Sequence, residues 1–295
     1  MKQVCVVTGG TGGIGSAAVR QMAELGYSVL VSDIHQDKID AKVEELRALG
    51  YEAEGMVCDT SDRAQCDALA KKAASMGQVQ GLIQLAGLTP GFASHKAIVK
   101  VDCLGTMNIN EAFYQVMEPG GCIIDICSCA GHFMLQDTWP EEIFELSLTD
   151  KQKFYDEFTE FLGNFGDDET ASNMAYVYGR TFVYWYVRKA CYAFGRSKGI
   201  RILSVSIGFV ETPQSKADLE RVGDYESRMG QQMSYSAFGR PGTPEEVAFL
   251  FSTLIDKRNS YLTGTDIYFD NGCDANGYLG QFEPYDPSVN PYNPE

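Results

Sequence analysis

The chain has 295 residues, of which 44% are hydrophobic, enough to bury the core of one large α/β domain or of two small ones. Its formal net charge of −16 argues against a nucleic-acid partner, because binding a phosphate backbone needs a basic face. No apolar stretch approaches the roughly 20 residues that span a bilayer, so no membrane segment is expected.

The first predicted elements flank a glycine-rich turn. An apolar run at residues 4–7 predicts a strand, and residues 15–25 have the pattern of a helix. Glycines between a strand and a helix let the backbone approach a pyrophosphate, and the unpaired N–H groups of the helix bind it. The alternative is an ordinary turn. The turn predicts a dinucleotide site formed by Gly9, Thr11, Gly12, Gly13, Ile14 and Gly15.

Asp33 closes the second predicted strand, residues 28–32, about 20 residues beyond the glycine turn. An acidic residue at this place accepts hydrogen bonds from the ribose hydroxyls of adenosine and repels a 2′-phosphate. No Lys or Arg lies in the turn or immediately after Asp33. The sequence therefore predicts NAD rather than NADP as the cofactor, with a helix-capping role for Asp33 as the alternative.

The alternation of strands and helices then continues along most of the chain. Strands separated by helices of this length predict an α/β fold, a single Rossmann-like, doubly wound parallel sheet of about seven strands with helices on both faces. The remaining strands are predicted at residues 52–58, 81–85, 122–127, 201–206 and 266–269, and helices at 37–49, 62–76, 96–117, 175–194 and 245–254. The aromatic residues of the helix at 175–194 are expected to serve packing.

Two segments interrupt this rhythm and are expected to cover a substrate pocket. Residues 132–174 form an acidic, aromatic insertion with helices at 141–146 and 150–162; its first residue, His132, is expected to be structural rather than pocket-lining. Residues 209–238 are expected to form a loop after the sixth strand, and their aromatic and methionine side chains are typical of an adaptable apolar site, or else of lid or subunit packing. These are Phe209, Tyr225, Met229, Met233, Tyr235 and Phe238.

No linker divides the chain. Residues 1–272 are predicted to form one nucleotide-binding domain, followed by a C-terminal tail at 273–295 that is ordered only if something holds it. The nine cysteines form no CxxC pair and are expected to be reduced, buried thiols of a cytoplasmic protein. The three histidines share no metal-ligand spacing, so no metal is expected. Residues 1–3 run straight into the first strand, which leaves no room for a signal peptide.

Several further segments, in order, resemble the short-chain dehydrogenase/reductase family along nearly the whole chain. Gln84-Leu85-Ala86-Gly87 resembles the family's N-N-A-G with both asparagines replaced, and the segment at 206–213 resembles P-G-x-V-x-T with Ile207 in place of proline. The segments at 239–248 and 261–264 resemble its C-terminal signature. The resemblance implies cofactor contacts at Asp59, Thr60, Ala86, Gly87, Gly208, Val210 and Thr212.

The catalytic positions are less regular than the cofactor positions. The family uses a serine, a Tyr-xxx-Lys pair and an asparagine, and the resemblance places Ser128 and Tyr176 at the serine and tyrosine. Arg180 stands at the lysine position and Asp102 at the asparagine position. Tyr184 with Arg188 fits less well, because the pair lies too close in sequence to the sixth strand.

The resemblance also implies the roles of these residues. The tyrosine gives a proton to the substrate oxygen as hydride reaches the carbon, while the serine holds that oxygen. The cation stabilises the phenolate and binds the nicotinamide ribose, so Tyr176 and Arg180 are also expected to contact the cofactor. An ionised Asp102 near Arg180 would cancel much of this field, and we hypothesise that Tyr176 is less readily deprotonated than in the family.

The expected function is an NAD(H)-dependent oxidoreductase that interconverts a secondary alcohol and a ketone. A bulky apolar substrate such as a steroid is favoured, and some hydroxysteroid dehydrogenases of the family carry an insertion between the serine and the tyrosine. A homodimer or homotetramer is implied by the resemblance. Two alternatives remain open: a catalytically impaired NAD-binding relative with a structural or sensing role, and another reaction on the same fold, such as that of an epimerase or a dehydratase.

Overall fold

The computed structural model of the chain describes residues 2–281 together with residues 283, 286 and 288. Seven parallel strands form one sheet in the order β3-β2-β1-β4-β5-β6-β7, which confirms the predicted fold class. The rest of the predicted tail at 273–295 lies outside the described residues. The strands are β1 (Gln3–Thr8), β2 (Ser28–Asp33), β3 (Ala53–Val57), β4 (Gln78–Gln84), β5 (Cys122–Ser128), β6 (Arg201–Ile207) and β7 (Asp266–Phe269).

The sheet buries both of its faces because successive side chains of a strand point to opposite sides. In β1, Val4 and Val6 belong to one core, and Cys5 and Val7 belong to the other. The helices α1 (Gly13–Glu24), α2 (Gln36–Ala48) and α11 (Pro244–Ile255) cover one face. The other face is covered by α3 (Arg63–Met76), α4 (His95–Ile98), α5 (Thr106–Val116) and α8 (Asp168–Lys198).

The long helix predicted at residues 96–117 changes its winding in the middle. A π-helical segment, Val99–Gly105, joins α4 to α5 and contains the buried Asp102. Local π-helical geometry inside an α-helix is frequent at functional sites. Sequence periodicity predicted the helix but gave no sign of this local change.

The insertion contains the two predicted helices, α6 (Glu141–Leu146) and α7 (Lys151–Gly163). Part of its aromatic set belongs to the core rather than to a cover: Phe144 and Phe154 are fully buried, with ring centroids 5.3 and 4.8 Å from that of Phe182 in α8. The physical reason is that aromatic side chains at helical spacing form an apolar face, which packs on the apolar face of α8. Helix α8 begins at Asp168, within the segment assigned to the insertion.

Residues 209–238 are not the loop that the sequence predicted. They contain α9 (Pro213–Val222) and α10 (Tyr225–Met233). The Thr212 hydroxyl oxygen caps α9 by accepting a hydrogen bond from the Ser215 N–H at 3.0 Å. The Ser215 hydroxyl oxygen in turn accepts a hydrogen bond from the Thr212 N–H. This reciprocal pair is a helix-start signal that the sequence analysis did not use.

The buried side chains agree with the remaining expectations. Five aromatic residues of α8 are buried, which confirms their packing role: Tyr178, Phe182, Trp185, Tyr186 and Phe194. All nine cysteines are free thiols, and eight of them are buried. None of the helices in the described part of the chain combines the length and the apolar character needed to cross a membrane.

Candidate active site

A cavity of about 860 Å³ lies at the carboxyl ends of the strands. The strand order reverses between β1 and β4, and in doubly wound sheets this switch point is where ligands bind. The cavity lining includes every predicted site residue except Asp102, which is buried behind it. These residues are Gly9, Thr11, Gly12, Gly13, Ile14, Gly15, Asp33, Asp59, Thr60, Ala86, Gly87, Ser128, Tyr176, Arg180, Gly208, Val210 and Thr212.

The glycine turn forms a cradle that side chains would fill. A Cβ added to Gly13 would lie 2.8 Å from the side chain of Thr212, so the loop after β6 can approach only because this residue is glycine. Gly12 precedes α1 without a side-chain cap, which leaves the first N–H groups of the helix available to a ligand. The turn fits the diphosphate of a dinucleotide in both respects.

Asp33 closes β2 at one end of the cavity. Its carboxylate accepts hydrogen bonds from the Thr11 hydroxyl at 2.6 Å and from the Ile34 N–H at 2.8 Å. His35 and Lys38 line the same cavity, although the sequence analysis assigned no role to either. Lys38 lies in the first turns of α2, and its position on the helix that follows β2 was the signal that could have found it.

The ends of β1 and β4 are joined through Thr8. Its side-chain oxygen accepts hydrogen bonds from the N–H groups of Leu85 at 3.2 Å and Ala86 at 3.4 Å. It also bonds to Gln84, the residue that replaces the first asparagine of the family pattern. These contacts fix the backbone at Ala86 and Gly87, where the resemblance implies the cofactor lies.

Ser128 and Tyr176 reach the cavity from opposite sides. Ser128 is the last residue of β5, and its Oγ accepts a hydrogen bond at 3.2 Å from the Ala130 N–H in the short 3-10 turn Cys129–His132. The hydroxyl therefore caps this turn while its own proton remains available to a substrate oxygen. Tyr176 lies one turn before Arg180 on α8, and both line the cavity.

Arg180 and Asp102 form a buried ion pair behind the cavity. The Arg180 Nη2 and Asp102 Oδ2 atoms are 3.0 Å apart, and their side chains are 8% and 1% exposed. Nη1 of Arg180 donates to the Ile126 carbonyl at 3.1 Å. The guanidinium carbon lies 5.0 Å from the centroid of the Tyr176 ring. Both terminal nitrogens have protein partners, so the fork is less free to bind a ribose than the sequence analysis expected.

Burial and attraction oppose each other in this pair. Burial raises the pKa of Asp102 above its usual range, and Arg180 and the Leu88 N–H only partly offset that rise. Burial lowers the pKa of Arg180, but the attraction of Asp102 and other neighbouring groups outweighs it, and the net shift is upward. Arg180 therefore stays charged, and Asp102 is harder to ionise than a surface carboxyl.

His132 and Tyr184 are structural. The His132 Nε2 lies 3.0 Å from both the Ser206 Oγ and the Asp266 Oδ2, and its ring packs on Tyr184. Neither residue belongs to the cavity lining as the described residues define it. This confirms the structural role expected for His132 and agrees with Tyr176, rather than Tyr184, as the tyrosine of the site.

The two covering segments line the cavity, but mostly with residues other than those expected. The insertion lines it only with Phe133 and Asn173, as far as the described residues show. Within the same limits Phe209 and Met233 line it, whereas the prediction was wrong for Tyr225, Met229, Tyr235 and Phe238, which do not. Other residues of α9 and α10 line it instead, among them Gln214, Asp218, Leu219 and Gln232. The chain after β7, regarded as a tail, adds Asp270, Cys273 and Tyr278.

Comparison with known proteins agrees with this arrangement. The family model described as short chain dehydrogenase matches residues 3–139, and the one described as Enoyl-(Acyl carrier protein) reductase matches residues 169–274. The 3-oxoacyl-[acyl-carrier-protein] reductase FabG of Thermotoga maritima is 26% identical over 92% of this chain and 97% of its own. The short-chain dehydrogenase/reductase bsc3 of Alternaria brassicicola is 28% identical over 92% of this chain and 96% of its own.

A solved structure has the same fold. The crystal structure of a variant of actinorhodin polyketide ketoreductase with NADPH superposes with a TM-score of 0.74 at 21% identity, covering 95% of this chain and 98% of its own. The class is that of nicotinamide-dependent oxidoreductases with a doubly wound parallel sheet. The chain belongs to the short-chain dehydrogenase/reductase family.

Proposed function

We propose that the protein is an NAD(H)-dependent oxidoreductase that interconverts a secondary alcohol and a ketone. The observation that supports this most is a continuous cavity, which joins the glycine turn and Asp33 at one end to Ser128 and Tyr176 at the other. Cofactor and substrate groups therefore share one cavity, as a direct transfer between them requires.

The cofactor residues have distinct tasks in this proposal. The N–H groups at the start of α1 bind the diphosphate, and Asp33 binds the adenosine ribose. When bound, the nicotinamide ring would accept a hydride from the alcohol or supply one to the ketone. Asp59 and Thr60 close the adenine end, and the backbone of Ala86, Gly87, Gly208, Val210 and Thr212 lines the rest of the cofactor site.

The chain's own hydroxyl groups handle the proton. Ser128 donates a hydrogen bond to the substrate oxygen and so fixes its position. Tyr176 gives its phenolic proton to that oxygen during reduction and takes it back during oxidation. The charge of Arg180, whose guanidinium lies over the Tyr176 ring, stabilises the phenolate left behind. Asp102 pairs with Arg180 and weakens this stabilisation whenever it is ionised.

Cofactor choice is proposed to favour NAD(H). The Asp33 carboxylate lines the cavity and would repel a 2′-phosphate. Lys38 lines the same cavity and favours NADP instead, because its ammonium group attracts a 2′-phosphate. Asp33 is fixed by its bonds to Thr11 and Ile34, whereas Lys38 is an exposed side chain on a flexible stem, so we give Asp33 the larger effect.

A bulky apolar substrate such as a steroid is proposed from the lining of the cavity at its catalytic end. Phe133, Phe209, Leu219 and Met233 supply apolar surface around it. Assembly as a homodimer or homotetramer is proposed only because members of the family usually form such oligomers. Analytical ultracentrifugation would test it.

The second candidate function is a catalytically impaired relative that binds NAD without turnover. The observation that favours it is the Asp102–Arg180 pair, which stands where the family has an asparagine and a lysine and which commits the cation to a carboxylate. Most of the predicted cofactor residues lie outside this pair, so nucleotide binding is expected to survive the replacement. The two candidates therefore differ in turnover and agree in affinity for NADH.

Binding and turnover of NADH test the proposal together. We expect protein-bound NADH, followed by its fluorescence, to be oxidised by members of a panel of hydrophobic ketones that includes 3-ketosteroids. Tyr176→Phe should bind NADH equally well and lose about a thousandfold in kcat/KM. Tyr184→Phe, on the same helix but outside the cavity lining, is the matched control and should retain activity. Tight binding without turnover of any ketone would favour the impaired relative.

A further inference from the structure

The chain that follows β7 forms a fixed wall of the cavity. We call residues 270–281 the C-terminal strap. Its turns are held by local hydrogen bonds: Asp270 accepts from the N–H groups of Gly272 at 2.9 Å and Asp274 at 2.8 Å, and the Tyr278 N–H donates to the Cys273 carbonyl at 3.0 Å. The strap is therefore an ordered element of the fold rather than a loose end.

The strap is tied to both segments beside it. The Ala237 N–H donates to the Asn271 carbonyl at 2.9 Å, and Asn276 Nδ2 donates to the Tyr235 carbonyl at 3.2 Å. At the other side, Gln281 donates to the His132 carbonyl. Gly208 allows the close approach, because a Cβ there would lie 2.8 Å from the Asp270 Cα. These contacts place the strap across the substrate end of the cavity.

Tyr278 is the aromatic residue of the strap that lines this end. Its ring packs between Phe133 and Tyr235, with centroids 5.9 and 5.4 Å away, and it lines the cavity. Its hydroxyl makes no hydrogen bond to any other residue that the structure describes. Burial raises the pKa of Tyr278, and neighbouring groups that include Tyr176 add to the rise. The Tyr278 hydroxyl therefore stays a proton donor.

Gln232 adds an unfilled acceptor to the same cavity. It lies on α10 one turn before Tyr235, and its Oε1 is buried without a hydrogen-bond partner among the residues described. A buried acceptor left unpaired is costly, so a ligand group that donates to it gains affinity. A hydroxyl group can accept from the phenol and donate to the amide oxygen at the same time.

We propose that Tyr278, together with Gln232, determines specificity by binding a second hydroxyl of the substrate, which makes the preferred substrate an apolar diol or hydroxyketone. This inference rests on the proposed function, since it takes Tyr176 and Ser128 to hold the reacting oxygen. It changes the expected substrate from a bulky alcohol with one polar group to one with two. The second group lies on the side of the molecule that faces the strap.

Matched pairs of alcohols test this inference in the complete protein. Hydrobenzoin differs from 1,2-diphenylethanol by one hydroxyl, and 1,3-diphenylpropane-1,3-diol differs in the same way from 1,3-diphenylpropan-1-ol. Their affinities are measured by titration into the NADH-saturated protein, followed by NADH fluorescence, and kcat/KM is measured for oxidation with NAD. Tyr278→Phe keeps the ring and removes only the hydroxyl. Tyr235→Phe is the control, because Tyr235 touches the same ring but does not line the cavity.

In the wild type we expect at least one diol to bind about tenfold more tightly than its mono-alcohol. Tyr278→Phe should abolish that ratio while the mono-alcohol affinity is unchanged, and Tyr235→Phe should preserve it. Equal affinity for diol and mono-alcohol in both wild-type pairs, or an equal loss for both in Tyr278→Phe, would overturn the inference. Diol preference in binding without turnover of any alcohol would refute the proposed function and leave this inference standing.

Discussion

The two ends of the cavity are built in different ways. At the nucleotide end, residues 8–15 form one continuous turn, and Asp33 lies on the adjacent strand. At the catalytic end, Ser128, Tyr176 and Tyr278 come from β5, α8 and the strap, which are far apart in sequence. The nucleotide end depends on backbone N–H groups, whereas the catalytic end depends on side chains and on a buried pair of opposite charges.

This difference shows which parts of a site are encoded locally. A turn that binds a ligand through its backbone needs glycines at fixed spacing, so one short segment of the sequence specifies it. A set of side chains that meet across a cavity depends on the packing of every element between them. Of the four substitutions that follow, three perturb one end or the other and one, at Asp125, perturbs the core of the sheet. They begin with the largest expected effect.

Gly15→Ala should break the nucleotide end. The added Cβ would lie 2.0 Å from the Gly9 carbonyl oxygen and 2.9 Å from the Gly10 Cα, and neither backbone atom can move without opening the turn. We expect the free energy of unfolding to fall by at least about 3 kcal/mol in urea denaturation. Gly12→Ala is the control, because its nearest neighbour is 3.4 Å away, and it should cost less than about 1 kcal/mol. Equal losses would contradict the close approach seen in the turn.

Asp102→Asn should break the catalytic end by leaving the Arg180 charge buried without its partner. We expect a loss of about 3 kcal/mol in unfolding free energy, because removing one member of a buried pair exposes the desolvation cost of the other. The double variant Asp102→Asn/Arg180→Met removes both charges and should be more stable than Asp102→Asn alone. A single variant as stable as the wild type would show that the pair contributes nothing.

Asp125, in the middle of β5, makes stability depend on pH. Burial raises its pKa to about 8, and the hydrogen bond from Asn110 only partly offsets this. An unfolded Asp ionises near pH 4, so between about pH 4 and 8 the unfolded chain alone loses the proton and native stability falls. We expect Asp125→Asn to gain about 3 kcal/mol in unfolding free energy relative to the wild type between pH 5 and pH 8. A difference that does not change with pH would contradict the raised pKa.

Asp33→Asn should change cofactor choice with little effect on stability. Removing the negative charge abolishes repulsion of a 2′-phosphate and leaves Lys38 to attract it. We expect the ratio of kcat/KM for NADP to that for NAD to rise about tenfold. Asp37→Asn, an exposed residue of α2 outside the cavity lining, should leave the ratio unchanged. An unchanged ratio in Asp33→Asn would remove the argument for NAD.

The sequence predicted the sheet well because its strands are short apolar runs that end at glycines or polar residues. It predicted the residues of the glycine turn and Asp33 because their signals are local. It placed Ser128, Tyr176, Arg180 and Asp102 only through resemblance to a family. The π-helical segment at Asp102 and the burial of aromatic residues of the insertion depend on tertiary packing, so the periodicity of the sequence could not predict them.

The strap shows the same limit more sharply. Its composition, rich in Gly, Asn and Asp, is typical of an unstructured tail, and nothing in its own sequence predicts contacts with Tyr235 or His132. Those contacts exist because β7 ends beside the substrate end of the cavity and because Gly208 lets Asp270 pass close to the end of β6. Position in the fold, rather than local pattern, makes Tyr278 part of the site.

The pH dependence of alcohol oxidation by the wild type and by Asp102→Asn tests most directly whether the Asp102–Arg180 pair controls the catalytic tyrosine. Both profiles should be recorded at a temperature at which both proteins are folded. If ionised Asp102 weakens the stabilisation that Arg180 gives the Tyr176 phenolate, the rising limb of activity should move to lower pH in Asp102→Asn. A wild-type limb near neutrality that stays in place in the variant would contradict the account.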